Sequence, residues 1–285
     1  MTKVYRDYDQ ATLDYECNPA VMIGNQDDYL KLYAERSAAT RAARPDMAVG
    51  RYGAHPLQAM NIYPASRPGA PLHVFVHGGG WRILTKDDSD FAVGGLGDDV
   101  TVAAIGYRLL PAVGLADVVA DVRAAIAWAW QHAADYNADP ARLYLSGHSA
   151  GGHLAAMVLA PGWQHAHGMP ANAVKGAVLL SGNYDLEPLR LSYRNAWLKL
   201  DDASMKVLGP IHHVPANGPP IIVGWGEKES NQYKTQGREY AAAWRAAGGS
   251  AGLLELPDYN HLEVPLDFGD AATPLARATR AMMRL

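Results

Sequence analysis

The chain has almost no cysteine. Cys17 stands alone, so no intrachain disulfide can form, which fits a reducing compartment. Positive charge is also in short supply. Lys and Arg total 25 against 29 Asp and Glu, a net charge of −4. That leaves no broad basic field for nucleic acid and no polybasic stretch for an anionic membrane. No apolar run reaches the roughly 18 residues of a membrane span. The opening MTKVYRDYDQ lacks the apolar core of a leader peptide. Linker-like Gly/Ser tracts, low-complexity segments and internal repeats are missing as well. The expectation is a cytoplasmic protein with no membrane or nucleic-acid partner. Its 285 residues read as a single domain with a substantial core.

What is present is alternation. Strand-like runs fall at 57–63, 72–77, 100–107, 142–147, 174–182, 220–225 and 251–256, several of them continuously apolar, as in strands buried on both faces. Helical spacing lies between them, in ADVVADVRAAIAWAWQHAA, HLAAMVLA, YKTQGREYAAAWRAAGG and TPLARATRAMM. This pattern predicts an α/β domain with a mostly parallel sheet flanked by helices. Residues 1–50 read as a helical extension whose helix, ending at Pro45, lies outside the main core. The stretch 184–214 breaks the alternation and reads as short cap helices over a site.

Chemistry is concentrated in two glycine-rich turns. Gly147-His148-Ser149-Ala150-Gly151 follows an apolar strand and opens a helix. A serine on such a turn is lifted above the sheet, at a helix N-terminus that favours developing negative charge, and the residues two before and two after must be small. The competing reading is a turn that merely closes a strand–helix unit. Against it stands His77-Gly78-Gly79-Gly80-Trp81, directly after an earlier buried strand. Acyl transfer needs backbone N–H donors for an oxyanion, and glycines let the main chain come close to substrate. A phosphate loop is disfavoured, since no GKS/T and no GxGxxG is present. Gly79, Gly80 and Ala150 are the oxyanion-hole candidates. In the chain order Ser, acid, His, His261 follows the last strand as general base. Glu227 and Glu229 share the loop after PIIVGW, and Glu229 is preferred as the acid. The other histidines, His148 and His153 among them, are assigned structural or solvent-facing roles. No pair has zinc spacing, so no metal is expected. Trp81, Tyr107, Tyr184, Trp197 and Trp225 are candidates for an aromatic pocket, Trp81 and Tyr184 foremost, although packing explains them equally.

These motifs resemble the hormone-sensitive-lipase-like branch of the α/β-hydrolase superfamily, and the kynurenine formamidase (arylformamidase)-like esterases within it. The likeness runs from YLKLYAERSAATRAARPDMAVGRYG through HGGGW, GYRLLP, ADPARLYLSGHSAGGHLAA and LLSGNYDLEP to GEKESNQYKTQGREYAAAWRAAG and NHLEV. It implies an α/β-hydrolase fold, a Ser149–Glu229–His261 triad and an oxyanion hole of Gly79, Gly80 and Ala150. It also implies a cofactor-free hydrolase of small acyl substrates, whether an aryl formamide such as N-formylkynurenine or an aryl or short-chain ester. Many formamidases carry a bulky residue where this chain has Gly80. A general carboxylesterase, or a binding protein that only retains the fold, are the alternatives. Homodimer formation is left open.

Overall fold

The computed structural model describes residues 2–285. Three helices come first: α1 (Gln10–Glu16), α2 (Ala20–Ile23) and α3 (Gln26–Ala43). Then follow β1 (Ala48–Arg51), β2 (Ala59–Tyr63), β3 (Ala70–Val76), β4 (Thr101–Ile105), α4 (Leu115–Gln131), β5 (Ala138–His148) and α5 (Ala150–Leu159). The remainder is β6 (Val174–Leu180), α6 (Glu187–Leu191), α7 (Asn195–Leu198), α8 (Asp202–Leu208), β7 (Ile221–Gly226), α9 (Asn231–Ala246), β8 (Ala251–Leu256) and α10 (Pro274–Met282). The strands form one eight-stranded sheet in the order β1-β2-β4-β3-β5-β6-β7-β8. From β4 to β8 every pairing is parallel, and β1 and β2 add an antiparallel edge.

The continuous apolar runs occupy the middle because both faces of the sheet are covered. Along β3, Leu72, Val74 and Val76 join one core cluster while Phe75 joins the other, the two-residue alternation of a strand. On the first face lie α4, α5 and part of α9. Helix α4 turns Leu115, Val118, Val119, Val122, Ala125, Ile126 and Ala129 inward at helical spacing, and α5 is buried all round. On the second face Phe75, Phe91 and Phe268 meet with ring centroids 5.6 and 6.0 Å apart. β1 has no counterpart among the sequence-read strands. AVGR is short and half exposed, and it holds an edge through pairing with β2 rather than through an apolar pattern.

The N-terminal helix departs from expectation. Helix α3 does not lie outside the core: Tyr33 and Ser37 are buried against the second cluster, and Tyr33 donates its hydroxyl to the Leu262 carbonyl beside the last strand. Its apolar face is too sparse to announce this packing, which rests on one aromatic and one serine. Farther upstream, Glu16 at the end of α1 accepts a hydrogen bond from the Gln232 N–H (2.9 Å), and its carbonyl accepts one from Ser230 Oγ (2.8 Å). The N-terminal segment is thereby tied to the start of α9. No helix is long and apolar enough to cross a membrane among the described residues.

His73 on β3 is fully buried near Phe268, and neither ring nitrogen has a partner. Burial lowers its pKa to about 3, so the folded chain keeps it neutral while the unfolded chain protonates it below about 6.5. Stability is therefore retained above that pH. It falls by up to about 1.4 kcal/mol per pH unit for this residue as the medium is acidified toward the folded-state value. In denaturant titrations between pH 7 and pH 5, the His73→Leu chain should lose distinctly less stability on acidification than the wild type. Identical slopes would mean that His73 titrates alike in both states.

Candidate active site

The turn from β5 into α5 is as tight as its glycines imply. A Cβ on Gly147 would stand 2.2 Å from the Gly151 carbonyl oxygen, and one on Gly151 would stand 2.0 Å from that of Val76. No side chain fits at either place, so β5, α5 and the end of β3 approach backbone to backbone. Ser149 sits between them with φ 56° and ψ −120°, a conformation that costs an L-residue about 1–3 kcal/mol. Its N–H donates to the Leu180 carbonyl of β6 (2.8 Å), which fixes the strained turn to the neighbouring strand.

Ser149, His261 and Glu229 are buried and in line. His261 Nε2 lies 2.9 Å from Ser149 Oγ, and His261 Nδ1 lies 2.8 Å from Glu229 Oε2. A carboxylate accepts only, so Nδ1 carries the proton and the Nε2 lone pair faces the serine hydroxyl. The other oxygen of Glu229 accepts from Ser181 Oγ and from the Gly226 N–H (2.8 Å). Of the two glutamates on the loop after β7, the fold turns Glu229 to the histidine. Glu227 is exposed and accepts from the Asp258 N–H (2.9 Å) instead. Ser181, at φ 49°, was not read from the sequence. Its only signal was a serine at the end of a buried strand.

The glycine loop faces this line across a cleft of about 520 Å³ that contains Gly79, Gly80, His148, Ser149 and His261. Gly79 and Gly80 have φ of 95° and 60°, the left-handed region in which glycine carries no penalty. The N–H groups of Gly79, Gly80 and Ala150 donate to no acceptor among the described residues. Tyr107 holds the root of the loop by donating its hydroxyl to the His77 carbonyl (2.8 Å), and its ring stacks on His77 at 4.1 Å.

Two of the residues expected to contact substrate do not reach the cleft. Trp81 is fully buried: at φ 62° its side chain turns under the loop, and its Nε1 donates to His153 Nδ1 (3.3 Å). Tyr184 is buried and stacks on Tyr240 at 4.4 Å. Tyr107 and Trp225 are core residues too, and among the proposed aromatics Trp197 alone lines the cleft. The aromatic lining comes instead from Tyr33 of α3, Tyr193 and Trp197. His148, assigned a structural or solvent-facing role, also borders the cleft, its ring centroid 4.6 Å from that of His261. Burial, followed by the adjacent His261, holds its pKa well below the usual histidine value. His153 is depressed to about 4 by burial alone, and its Nε2 contacts the Leu208 carbonyl. No group of three or more potential metal ligands occurs among the described residues.

Residues 60–243 match the BD-FAE family model. The chain is 32% identical over 221 residues to a kynurenine formamidase of Danio rerio, covering 75% of this chain and 73% of that protein. It is 30% identical over 240 residues to the esterase LipQ of Mycobacterium tuberculosis, covering 76% of this chain and 52% of that one. Among solved structures, a putative thioesterase from Silicibacter sp. TM1040 superposes with a TM-score of 0.82, covering 96% of this chain and 99% of that chain at 24% identity, and shows the same fold. A thermophilic esterase from Thermogutta terrifontis gives a TM-score of 0.64 at 25% identity, covering 85% of this chain and 90% of the other. The chain thus belongs to the BD-FAE family, in the hormone-sensitive-lipase-like branch of the α/β-hydrolases, among hydrolases of the ester/amide type.

Proposed function

We propose that the protein is a serine hydrolase that cleaves a small acyl substrate through an acyl-enzyme, with an aryl formamide such as N-formylkynurenine as the preferred class. The observation that carries this reading is the unbroken line from Glu229 through His261 to Ser149, at 2.8 and 2.9 Å, opening onto a cleft whose far wall offers unpaired backbone N–H groups. Ser149 Oγ attacks the acyl carbon while His261 Nε2 takes its proton, and Glu229 stabilises the imidazolium that forms. The tetrahedral oxyanion is held by the N–H groups of Gly79, Gly80 and Ala150, already in place before charge develops there. His261 next gives its proton to the departing amine or alkoxide, and a water molecule activated by the same imidazole releases the acyl group. In this reading the short helices of 184–214 form a cap within a single domain. The esterase relatives favour a second reading, a general carboxylesterase with no formamidase role. Parallel kcat/KM values for N-formylkynurenine and a short para-nitrophenyl ester separate the two, with the formamide expected to be the better substrate.

Ser149→Ala should lower turnover of every acyl substrate by at least about three orders of magnitude. It should also abolish covalent labelling by a fluorophosphonate. A folded variant that kept substantial activity would remove serine from the mechanism.

The two glutamates give a second test. Glu229→Gln leaves an amide opposite His261 Nδ1 and should reduce kcat by about 10²- to 10⁴-fold. Glu227→Gln keeps an oxygen that can accept from Asp258, and its effect on kcat should stay below about tenfold. Steady-state kinetics of both variants decide the matter: a reversed pattern would reassign the acid to Glu227, and two small effects would dispense with a carboxylate.

A further inference from the structure

The cleft has a charge character that the triad does not account for. Two arginines line it, Arg82 and Arg194, and no aspartate or glutamate does, in a chain whose net charge is −4. Arg82 is partly satisfied by lying over the Trp197 ring at 4.6 Å. Arg194 is the unusual one. It precedes α7, is only 6% exposed, and no carboxylate among the described residues comes within 4.0 Å of its guanidinium. Acids on the segments around it are committed elsewhere: Asp14 accepts from the Tyr193 N–H and Glu16 from the Gln232 N–H, while on the cap Glu187 and Asp202 pair with Arg190. The guanidinium of Arg194 makes two long polar contacts, from Nη1 to the Cys17 carbonyl and to the Tyr233 hydroxyl, both 3.4 Å. Its guanidinium carbon stands 5.5 Å over the Trp81 ring. Nη2 lies 3.2 Å from where a Cβ on Gly80 would be, so the cation overhangs the glycine loop.

A buried cation without an anion is costly, and a guanidinium offers a planar fork of donors that matches a carboxylate in bidentate fashion. We propose that Arg194 is the specificity-determining residue of the cleft, selecting acyl substrates that carry a carboxylate by pairing with it beside the glycine loop. The inference rests on the hydrolase reading above for the site it serves. Cap and loop then have separate tasks. The loop amides receive the oxyanion, and the cap residue Arg194 fixes a charged group that is not part of the reacting bond.

The test compares two matched ester pairs in the full-length enzyme. One pair carries the charge on the acyl side, para-nitrophenyl hydrogen glutarate against para-nitrophenyl pentanoate. The other carries it on the leaving group, para-acetoxybenzoate against para-acetoxybenzamide. The wild type should favour the carboxylate member of at least one pair by about 10- to 100-fold in kcat/KM, the scale of a buried charge-assisted contact. Arg194→Gln should erase that ratio and Arg194→Lys should keep part of it. A wild-type ratio near one in both pairs overturns the proposal. So does a ratio that is unchanged in Arg194→Gln, with both members falling together, since the arginine would then serve the oxyanion or the fold. Calorimetric binding of benzoate and benzamide to the wild type gives a readout independent of turnover and of variant folding. Tighter binding of benzoate, weakening with added salt, supports the assignment, and equal affinities overturn it. Should folded wild type hydrolyse neither these esters nor N-formylkynurenine, the hydrolase reading fails on its own, and the binding comparison still decides whether the arginine-lined cleft receives a carboxylate.

Discussion

The site depends on one steric constraint, the backbone contact between the start of α5 and the end of β3. Gly151 lies so close to the Val76 and His77 carbonyls that a methyl group would stand 2.0 and 2.5 Å from them. Because β3 runs directly into the glycine loop, this contact presses Gly78–Gly80 against the turn that carries Ser149. A Cβ on Gly78 would itself stand 2.9 Å from the His148 carbonyl. The hydroxyl and the unpaired loop amides share a cleft for that reason, although roughly seventy residues separate them in the chain. The strain at Ser149 is sustained by the same packing, together with its N–H bond to Leu180 on β6.

A second layer of the structure sorts charge. The carboxylate behind His261 is Glu229, whose oxygens are engaged by Ser181, Gly226 and His261, so its charge is fully hydrogen-bonded where it is sequestered. The cleft surface beside it carries arginine and no acid. The charge behind the histidine is thus fixed, and the charge lining the cleft is of opposite sign. The segment that seals this arrangement is the N-terminal one: α2 and α3 supply a wall of the cleft through Ala20, Ile23, Leu30 and Tyr33, while Glu16 anchors α1 to the start of α9. An extension that reads as peripheral is part of the site's boundary.

How far the sequence reached can be followed residue by residue. The alternation of apolar runs gave the parallel sheet, since strands covered on both faces need no polar side, but it passed over β1, where edge pairing rather than apolar patterning makes the strand. Ser149 and the glycine loop were legible because the turns demand particular residues within two positions of themselves, a requirement written locally. Trp81 and Tyr184 were misread as pocket residues because an aromatic beside a motif looks the same whether it turns out or in.

What the sequence determined by itself, then, was the layered fold and the two turns, both set by short-range sterics and by the period of apolar residues. The tertiary structure alone decided orientation. A φ of 62° puts Trp81 beneath the loop instead of beside the substrate. The direction of the chain after β7 turns Glu229, and not its neighbour two residues away, toward a histidine 32 positions on. Arg194, unremarkable in the sequence, becomes a buried cation only because α1, α7 and α9 converge around it, with the Cys17 carbonyl and the Tyr233 hydroxyl as the polar contacts of its guanidinium. Such outcomes depend on which distant segments pack together, and a pattern of neighbouring residues carries no record of that.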